Sequence, residues 1–328
     1  MSVRKNILII RFKSIGDVVL TLPAVHCVRE NFPDAKITFL TIRENESLLR
    51  GFREVDEVIA LDRAALRDKN PLRIFSEIFR MFRSVRAGKF SIAIDLQGYG
   101  ETAWLARLSG ARERWGTVYG RGRAWAYTRG LARQENLHPA EWNLFLLREC
   151  GLKIGEIKNQ FFLPAEALIA AQKIFAENNF DPAKKTLFLQ PFTSSPHKNW
   201  PLENFLALAR YWRSRGAQII FGGGPKDRAA LESALAEKFL VCAGVPMVVT
   251  GGLMQLSTLI VGGDTGMLHL AIAQGKRALM LARDVSPGRP ILFQHRDWVI
   301  TPPNAPADIA NISVETIITE TEKIFRDE

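Results

Sequence analysis

The sequence predicts an α/β protein made of two doubly wound modules in tandem, and three observations carry that prediction. Short, wholly apolar runs alternate with stretches of helical periodicity, the pattern of parallel strands and their crossover helices. The alternation starts afresh past residue 165, after a segment (151–165, GLKIGEIKNQFFLPA) short on periodicity and rich in turn residues. The chain has 328 residues, two domains' worth on the usual scale of roughly 100–200 each. With 47% hydrophobic and 24% charged residues it can bury sizeable cores, which excludes a disordered chain, a collagen or a disulfide scaffold.

In the first module NILIIRF (6–12) reads as a buried strand, KSIGD (13–17) as a short loop, and VVLTLPAVHCVRENF as a helix in which Pro23 kinks the pattern or shifts its start. KITFLTI (36–42) and DEVIAL (56–61) are the next strands. PLRIFSEIFRMFRSVRAGKF (71–90) is a helix with Pro at its first turn and a wide apolar face, and FSIAIDLQG (90–98) is a further strand. In the second module a helix (166–179) precedes the strand TLFLQP (186–191), the helix PLENFLALARYWRSRG (201–216) and the strand AQIIFGG (217–223). DRAALESALAEKF (227–239) and LMQLSTLI (253–260) read as helices, the latter leaving only Val261 before GGDTG and hence a truncated strand. A helix (267–275), the strand KRALML (276–281) and a C-terminal amphipathic helix (312–325) with Ser313 as N-cap complete the module.

No apolar run approaches the ~18–20 residues of a membrane span, and the N-terminus lacks the length and cleavage site of a secretory signal. Cys27, Cys150 and Cys242 lie far apart without metal-ligand spacing, so they read as buried thiols in a reducing cytoplasm. The net charge of +10 is uneven: residues 1–165 hold 27 Lys/Arg against 18 Asp/Glu, whereas 166–328 hold 17 against 16. A basic first half suits an anionic partner such as nucleic acid, an anionic membrane surface or a phosphorylated substrate.

In open α/β sheets ligands bind at the carboxyl ends of the strands, and four loops there carry reactive groups. In KSIGD, Gly16 permits a tight turn and Asp17 is either a helix N-cap or a general base; neither a Walker A nor a GxGxxG motif is present. In QPFTSSPHKNWP (190–201), Thr193, Ser194, Ser195 and Lys198 offer hydroxyls, N–H groups and an ammonium to a phosphate, or else form an ordinary capping loop, with His197 a loop residue. In GGDTGMLHLA (262–271), Asp264, Thr265 and Gly266 precede a helix whose first N–H groups suit a pyrophosphate; His269 is either near that site or a buried, hydrogen-bonded core residue. The glycine-rich turn FGGGPKDRAAL (221–231) allows close approach of a nucleotide at Gly223, with Asp227 or Lys226 near ribose or phosphate.

KSIGDVVLTLPA, QPFTSSPHKNWP, IIFGGGPKD and GGDTGMLHLAIA, in this order and spacing over residues 5–280, together resemble glycosyltransferase family 9, the ADP-heptose:lipopolysaccharide heptosyltransferases and their relatives. The resemblance implies a GT-B architecture of two facing Rossmann-like domains with parallel sheets. Residues 1–160 would bind the acceptor, 161–311 the nucleotide sugar, and 312–328 would form a helix crossing back to the first domain. It implies an inverting, metal-independent transfer, without a cofactor, from a nucleotide-diphosphate heptose (ADP-heptose) to a sugar of the lipopolysaccharide inner core. By the same resemblance Asp17 is the catalytic base and Lys198 neutralises the phosphates. Thr193 and Ser194, with Ser195 beside them, hydrogen-bond the phosphates, and Thr265 and Gly266 offer backbone groups to the distal one. Asp264 and His269 lie near the transferred sugar, and Asp227 takes the place of a ribose-binding acid. The family's Gly-Pro-Thr loop is replaced here by LARDVSPGRPILFQ, with Ser286, Pro287 and Gly288 the nearest equivalents.

Two basic stretches bear on the acceptor. The helix at 71–89 sets Arg73, Arg80, Arg83, Arg86 and Lys89 beside Ile74, Phe75, Ile78, Phe79 and Phe82; it either packs its apolar face on the sheet or lies on an anionic membrane. From 102 to 134 Glu113 is the only acid, while Arg107, Arg112, Arg114, Arg121, Arg123, Arg129 and Arg133 interleave with Trp and Tyr. This segment is expected to bind a phosphorylated, lipid-linked saccharide, placing the protein in the cytoplasm or at the cytoplasmic face of the inner membrane. Two other classes fit parts of the sequence: a nucleic-acid binder, for which no recognition motif is present and which leaves the Asp-Thr-Gly loop unexplained, and a non-catalytic sugar-nucleotide scaffold.

Overall fold

A computed structural model describes residues 4–327, apart from the side chains of Arg121 and Asp327. The chain divides into two compact units, Met1–Phe162 and Leu163–Glu328. The expected linker belongs largely to the first. Phe161 packs edge-on against Phe52 at 6.3 Å, Phe162 N–H donates to the Gly51 carbonyl at 3.0 Å, and Lys153 is tied through its backbone to Asn31.

The first unit holds six parallel strands: β1 (Asn6–Ile10), β2 (Lys36–Ile42), β3 (Glu57–Leu61), β4 (Ile92–Asp95), β5 (Glu113–Val118) and β6 (Arg129–Ala132), in the order β3-β2-β1-β4-β5-β6. The second holds β7 (Thr186–Gln190), β8 (Gln218–Gly223), β9 (Leu240–Ala243), β10 (Leu259–Gly263), β11 (Ala278–Leu281) and the two-residue β12 (Val299–Ile300), also all parallel, in the order β9-β8-β7-β10-β11-β12. The two sheets therefore share one doubly wound order. Their central strands are apolar because helices cover both faces: β4, β7 and β10 are buried throughout and β1 except at its first residue. In each sheet the order reverses next to the first strand, between β1 and β4 and between β7 and β10, which opens a crevice at the carboxyl ends.

Several expected elements differ. The first helical pattern splits into Ile15–Val19 and Leu22–Asn31, and Pro23 sits in the first turn of the second helix, where its missing N–H costs nothing. The segment 102–134, to which the sequence reading assigns no elements, holds most of the helix Gly100–Leu108, then β5 and β6. Residues 253–260 do not form one helix. The helix Met247–Leu256 stops where Ser257 turns extended (φ −86°, ψ 151°), and Leu259 begins a full five-residue β10, so no strand is truncated before Asp264. The helix expected at 227–239 shrinks to Glu232–Ala236 after two short 3-10 turns, and β9 follows.

The C-terminal helix, Val314–Asp327, packs on the helix Leu202–Arg213 of its own unit. Its apolar stripe fits that partner: Phe325 lies edge-on to Trp212 at 4.3 Å, Thr321 Oγ1 accepts from Trp212 Nε1 at 2.9 Å, and Ile317 and Ile324 join the same core. Trp200 Nε1 donates to the Ile312 carbonyl just before the helix at 2.8 Å, and Ser313 Oγ caps it by accepting from Thr316 N–H at 3.1 Å.

The helix Pro71–Ala87 also departs from the reading that its apolar face covers the sheet. Only Glu77, Met81 and Val85 are buried along it, while Leu72, Phe75, Ile78, Phe79 and Phe82 are exposed.

Candidate active site

In the first unit the loops after β1 and β4 interlock. Gln97 Oε1 accepts from the backbone N–H groups of Phe12 and Lys13 at 2.8 and 3.0 Å. Gln97 is itself held by Asp95, whose Oδ1 accepts from the Gln97 and Gly98 N–H groups at 2.9 Å each while Oδ2 accepts from Tyr127 Oη at 2.6 Å. Asp95 is wholly buried, and burial pushes its carboxyl up despite those donors; burial, then the adjacent Asp95, likewise pushes the Tyr127 phenol up. Gly98 must be glycine: its φ is +75° and a Cβ would sit 2.3 Å from the Thr117 carbonyl.

This scaffold presents Asp17. Ser14, not Asp17, is the N-cap of the helix Ile15–Val19, so Asp17 lies inside the first turn. Its Oδ1 accepts from Arg11 Nη2 at 2.6 Å and its Oδ2 from Ser14 Oγ at 2.8 Å. Arg11 also donates to the Leu96 carbonyl, which ties the pair to the β4 loop. A cavity of about 210 Å³ is lined by Arg11, Lys13, Asp17, Tyr99, Arg133 and Trp142 among others. Lys13 Nζ lies 3.0 Å from Tyr99 Oη at its rim. The crevice thus offers an oriented carboxylate among cations and flat rings, groups that suit a hydroxyl-bearing, anionic saccharide.

Of the expected acceptor arginines, Arg133 lines this cavity, and Arg107, Arg112 and Arg114 do not. Arg107 near the end of its helix, and Arg112 and Arg114 at the start of β5, lie toward the amino ends of the strands, away from the crevice. Arg114 is committed to structure, donating to the carbonyls of Ala126 and Ala111 at 2.8 and 2.6 Å. Arg123 reaches the crevice loops through the Gly98 carbonyl at 3.1 Å; the Arg121 side chain lies outside the described residues. Arg11, Gln97 and Tyr99, which do not stand out in the sequence, line the cavity beside Arg133. The signal of these three in the sequence was position: Arg11 follows directly on β1, and Gln97 and Tyr99 lie in the loop after β4.

In the second unit the loops after β7 and β10 meet in the same way. Gly263 permits it: a Cβ there would lie 2.7 Å from Thr193 Cγ2 and 2.8 Å from the Lys198 carbonyl. Lys198 Nζ and Asp264 Oδ2 are 2.6 Å apart, both half-buried. Thr193 shapes its loop, its N–H donating to Asn199 Oδ1 at 2.8 Å and its hydroxyl to the Ser195 carbonyl at 2.9 Å. Thr265 caps the helix Gly266–Ala273, so the first-turn N–H groups and the positive helix end open beside Lys198 and Asp264, a setting for a diphosphate. His269 is buried in that helix, the core alternative for this residue.

A cavity of about 150 Å³ adjoins this pair, lined by His197, Lys198, Asp264, Arg283, Asp284 and Arg289 among others. Arg289 donates to both oxygens of Asp284 at 3.2 and 2.9 Å and Ser286 Oγ to one at 2.6 Å; these bonds hold the Asp284 carboxyl well below the usual carboxylate range. The loop standing in for Gly-Pro-Thr therefore lines the cavity through Asp284 and Arg289. Thr193, Ser194, Ser195, Gly223 and Asp227 do not line it, and Asp227 Oδ2 accepts from Gly224 N–H at 2.7 Å within its own turn. Among the described residues no group of three or more His, Cys, Asp or Glu could hold a metal ion, and no helix is long and apolar enough to cross a membrane.

The sequence model of glycosyltransferase family 9 (heptosyltransferase) matches residues 78–307. Lipopolysaccharide heptosyltransferase 3 of Escherichia coli is 22% identical over 269 residues, 79% of this chain and 77% of its own length. A lipopolysaccharide core heptosyltransferase of Haemophilus influenzae is 21% identical over 313 residues, 90% of this chain and 84% of its own. Among solved structures, a family 9 glycosyl transferase from Veillonella parvula superposes with a TM-score of 0.88 at 21% identity, covering 100% of this chain and 99% of that one. The E. coli ADP-heptose lps heptosyltransferase II gives 0.81 at 18% identity, covering 98% and 99%. With two parallel-sheet units of one strand order, the chain belongs to glycosyltransferase family 9 and is a GT-B glycosyltransferase acting on a nucleotide-sugar donor.

Proposed function

We propose that this glycosyltransferase moves a heptose from ADP-heptose to a sugar of the lipopolysaccharide core, with inversion at the anomeric carbon. The observation that carries the reading is the Asp17 carboxylate, half-buried and fixed by Arg11 and Ser14 at the carboxyl end of β1. Inversion needs one base to take the acceptor hydroxyl's proton as that oxygen attacks the face opposite the leaving group. Arg11 and Ser14 orient the carboxylate for that single task. Departure of a nucleoside diphosphate builds negative charge, which the Lys198 ammonium and the first-turn N–H groups of the helix Gly266–Ala273 stabilise. Thr193, Ser194 and Ser195 support the phosphates from the β7 loop, and Asp264 lies near the transferred sugar.

The named relatives supply the donor and acceptor: they are lipopolysaccharide heptosyltransferases by description. The first unit, basic and lined with Lys13, Arg133 and Trp142 at its crevice, is read as the acceptor side. The second, with its anion-receiving loops, is the donor side, and the reaction belongs in the cytoplasm. A melting-temperature screen of ADP-, UDP- and GDP-sugars tests the donor, because a ligand that binds only the native state raises its apparent stability. ADP-heptose is expected to raise the melting temperature, and Lys198→Ala to abolish the rise. A shift with a UDP-sugar and none with ADP-heptose overturns the donor assignment.

A further inference from the structure

We propose that one face of the first unit, centred on the helix Pro71–Ala87, docks on an anionic lipid bilayer. The sequence makes this helix amphipathic, yet the fold uses little of its apolar surface. It is held by a narrow stripe: Met81 and Val85 join the core beneath β1 and β4, and the buried Glu77 carboxylate accepts from Asp62 N–H at 2.8 Å and from Arg80 Nε at 2.8 Å. A second apolar face is left outside. Leu72, Phe75, Phe79 and Phe82 recur at helical spacing with Ile78 between them; Leu72 is 75% and Phe75 69% exposed. The rings of Phe75 and Phe79 stack at 6.3 Å.

The patch continues onto the neighbouring helix Gly100–Leu108, which packs against it. Trp104, 57% exposed, lies edge-on to the exposed Trp125 at 4.6 Å. Arg86 reaches across from the first helix toward the Leu108 carbonyl at 3.5 Å. Exposed phenyl and indole rings bordered by arginines are the chemistry of an interfacial helix. The apolar side chains enter the acyl boundary, the indoles sit at headgroup level, and the cations meet lipid phosphates.

Charge decides the occupant. Arg83, Arg86 and Arg107 border the patch, while the acid in the helix, Glu77, is buried and paired with Arg80, so none of its acids faces outward. The half of the chain carrying the patch holds 27 basic against 18 acidic residues. A second copy docking through this same face would set like charges against each other, whereas an anionic membrane is complementary to it. The inference stands apart from the transfer chemistry, since it uses none of the crevice residues.

Co-sedimentation of the full chain with vesicles tests it. Binding is expected to vesicles of phosphatidylcholine mixed with phosphatidylglycerol, to weaken with added salt, and to be far poorer with phosphatidylcholine alone. Phe75→Ser combined with Phe79→Ser should weaken partitioning by about tenfold or more at an unchanged melting temperature, because both side chains are exposed. Arg83→Gln should weaken it about fivefold. Failure of the intact chain to bind anionic vesicles, or equal binding by the double variant, overturns the proposal. A concentration-dependent dimer that the double variant abolishes, with no vesicle binding, gives the face to a second copy and overturns it as well.

Discussion

Both oxygens of the Asp17 carboxylate are engaged, one by Arg11 and the other by Ser14, so its direction is set before an acceptor arrives. Arg11→Ala should lower kcat by about 10–100-fold, the cost of a loosely oriented base, with donor affinity unchanged in calorimetry. Arg11→Lys should recover only part of the loss, because an ammonium cannot span Asp17 and the Leu96 carbonyl as a guanidinium does. Asp284 makes a second residue-level case. Its folded pKa lies below the unfolded value, so its stabilisation is present above about pH 4 and lost as pH falls below that. Asp284→Asn should therefore lower stability at neutral pH and flatten the acid limb of a denaturation series. At this scale the sequence was partly legible. Asp17, Lys198 and Asp264 stand out as reactive groups beside glycine-containing turns, whereas Arg11 and Asp284 acquire meaning only from partners that the fold supplies. The arginines at 107, 112 and 114 lie away from the crevice, and charge density along the chain does not tell one end of a strand from the other.

The elements explain how the loops after β7 and β10 come to meet. Consecutive glycines end β10, and Gly263 lets the β7 loop lie against it with no Cβ between. Gly263→Ala would drive a methyl into the Lys198 carbonyl, which as backbone cannot yield cheaply. The variant should lose about 1–3 kcal/mol of stability in urea denaturation and bind donor more weakly. Strands flanked by strong apolar runs were readable from the sequence, as were helices with clear caps. The failures have physical causes. Around Ser257 a helix passes into a strand within two residues, and both are apolar, so periodicity does not separate them. β5 carries Trp115 and Thr117 inward but arginine and glutamate at its start, and β6 is nearly all exposed, so the edge of the sheet has no apolar signature. The C-terminal helix shows its apolar stripe plainly in the sequence, but the stripe does not name its partner; Trp212 and Trp200 do, and they lie on the second unit.

For the whole molecule, two sheets of identical strand order each place a crevice at the same point, beside the first strand, and the loops already suspected of chemistry end there. That is why the fold class could be read from alternation alone, and why the candidate loops stand out without any recognised nucleotide motif. In the proposed reaction the division of labour follows the charge: the basic half carries Asp17, and the near-neutral half carries Lys198 and the open helix end. The most direct test is Asp17→Asn, assayed for turnover with ADP-heptose and acceptor and for donor affinity by calorimetry. The carboxylate as base predicts a fall in kcat of about 10²–10⁴-fold with donor binding intact. Near-normal turnover by this variant would contradict the account.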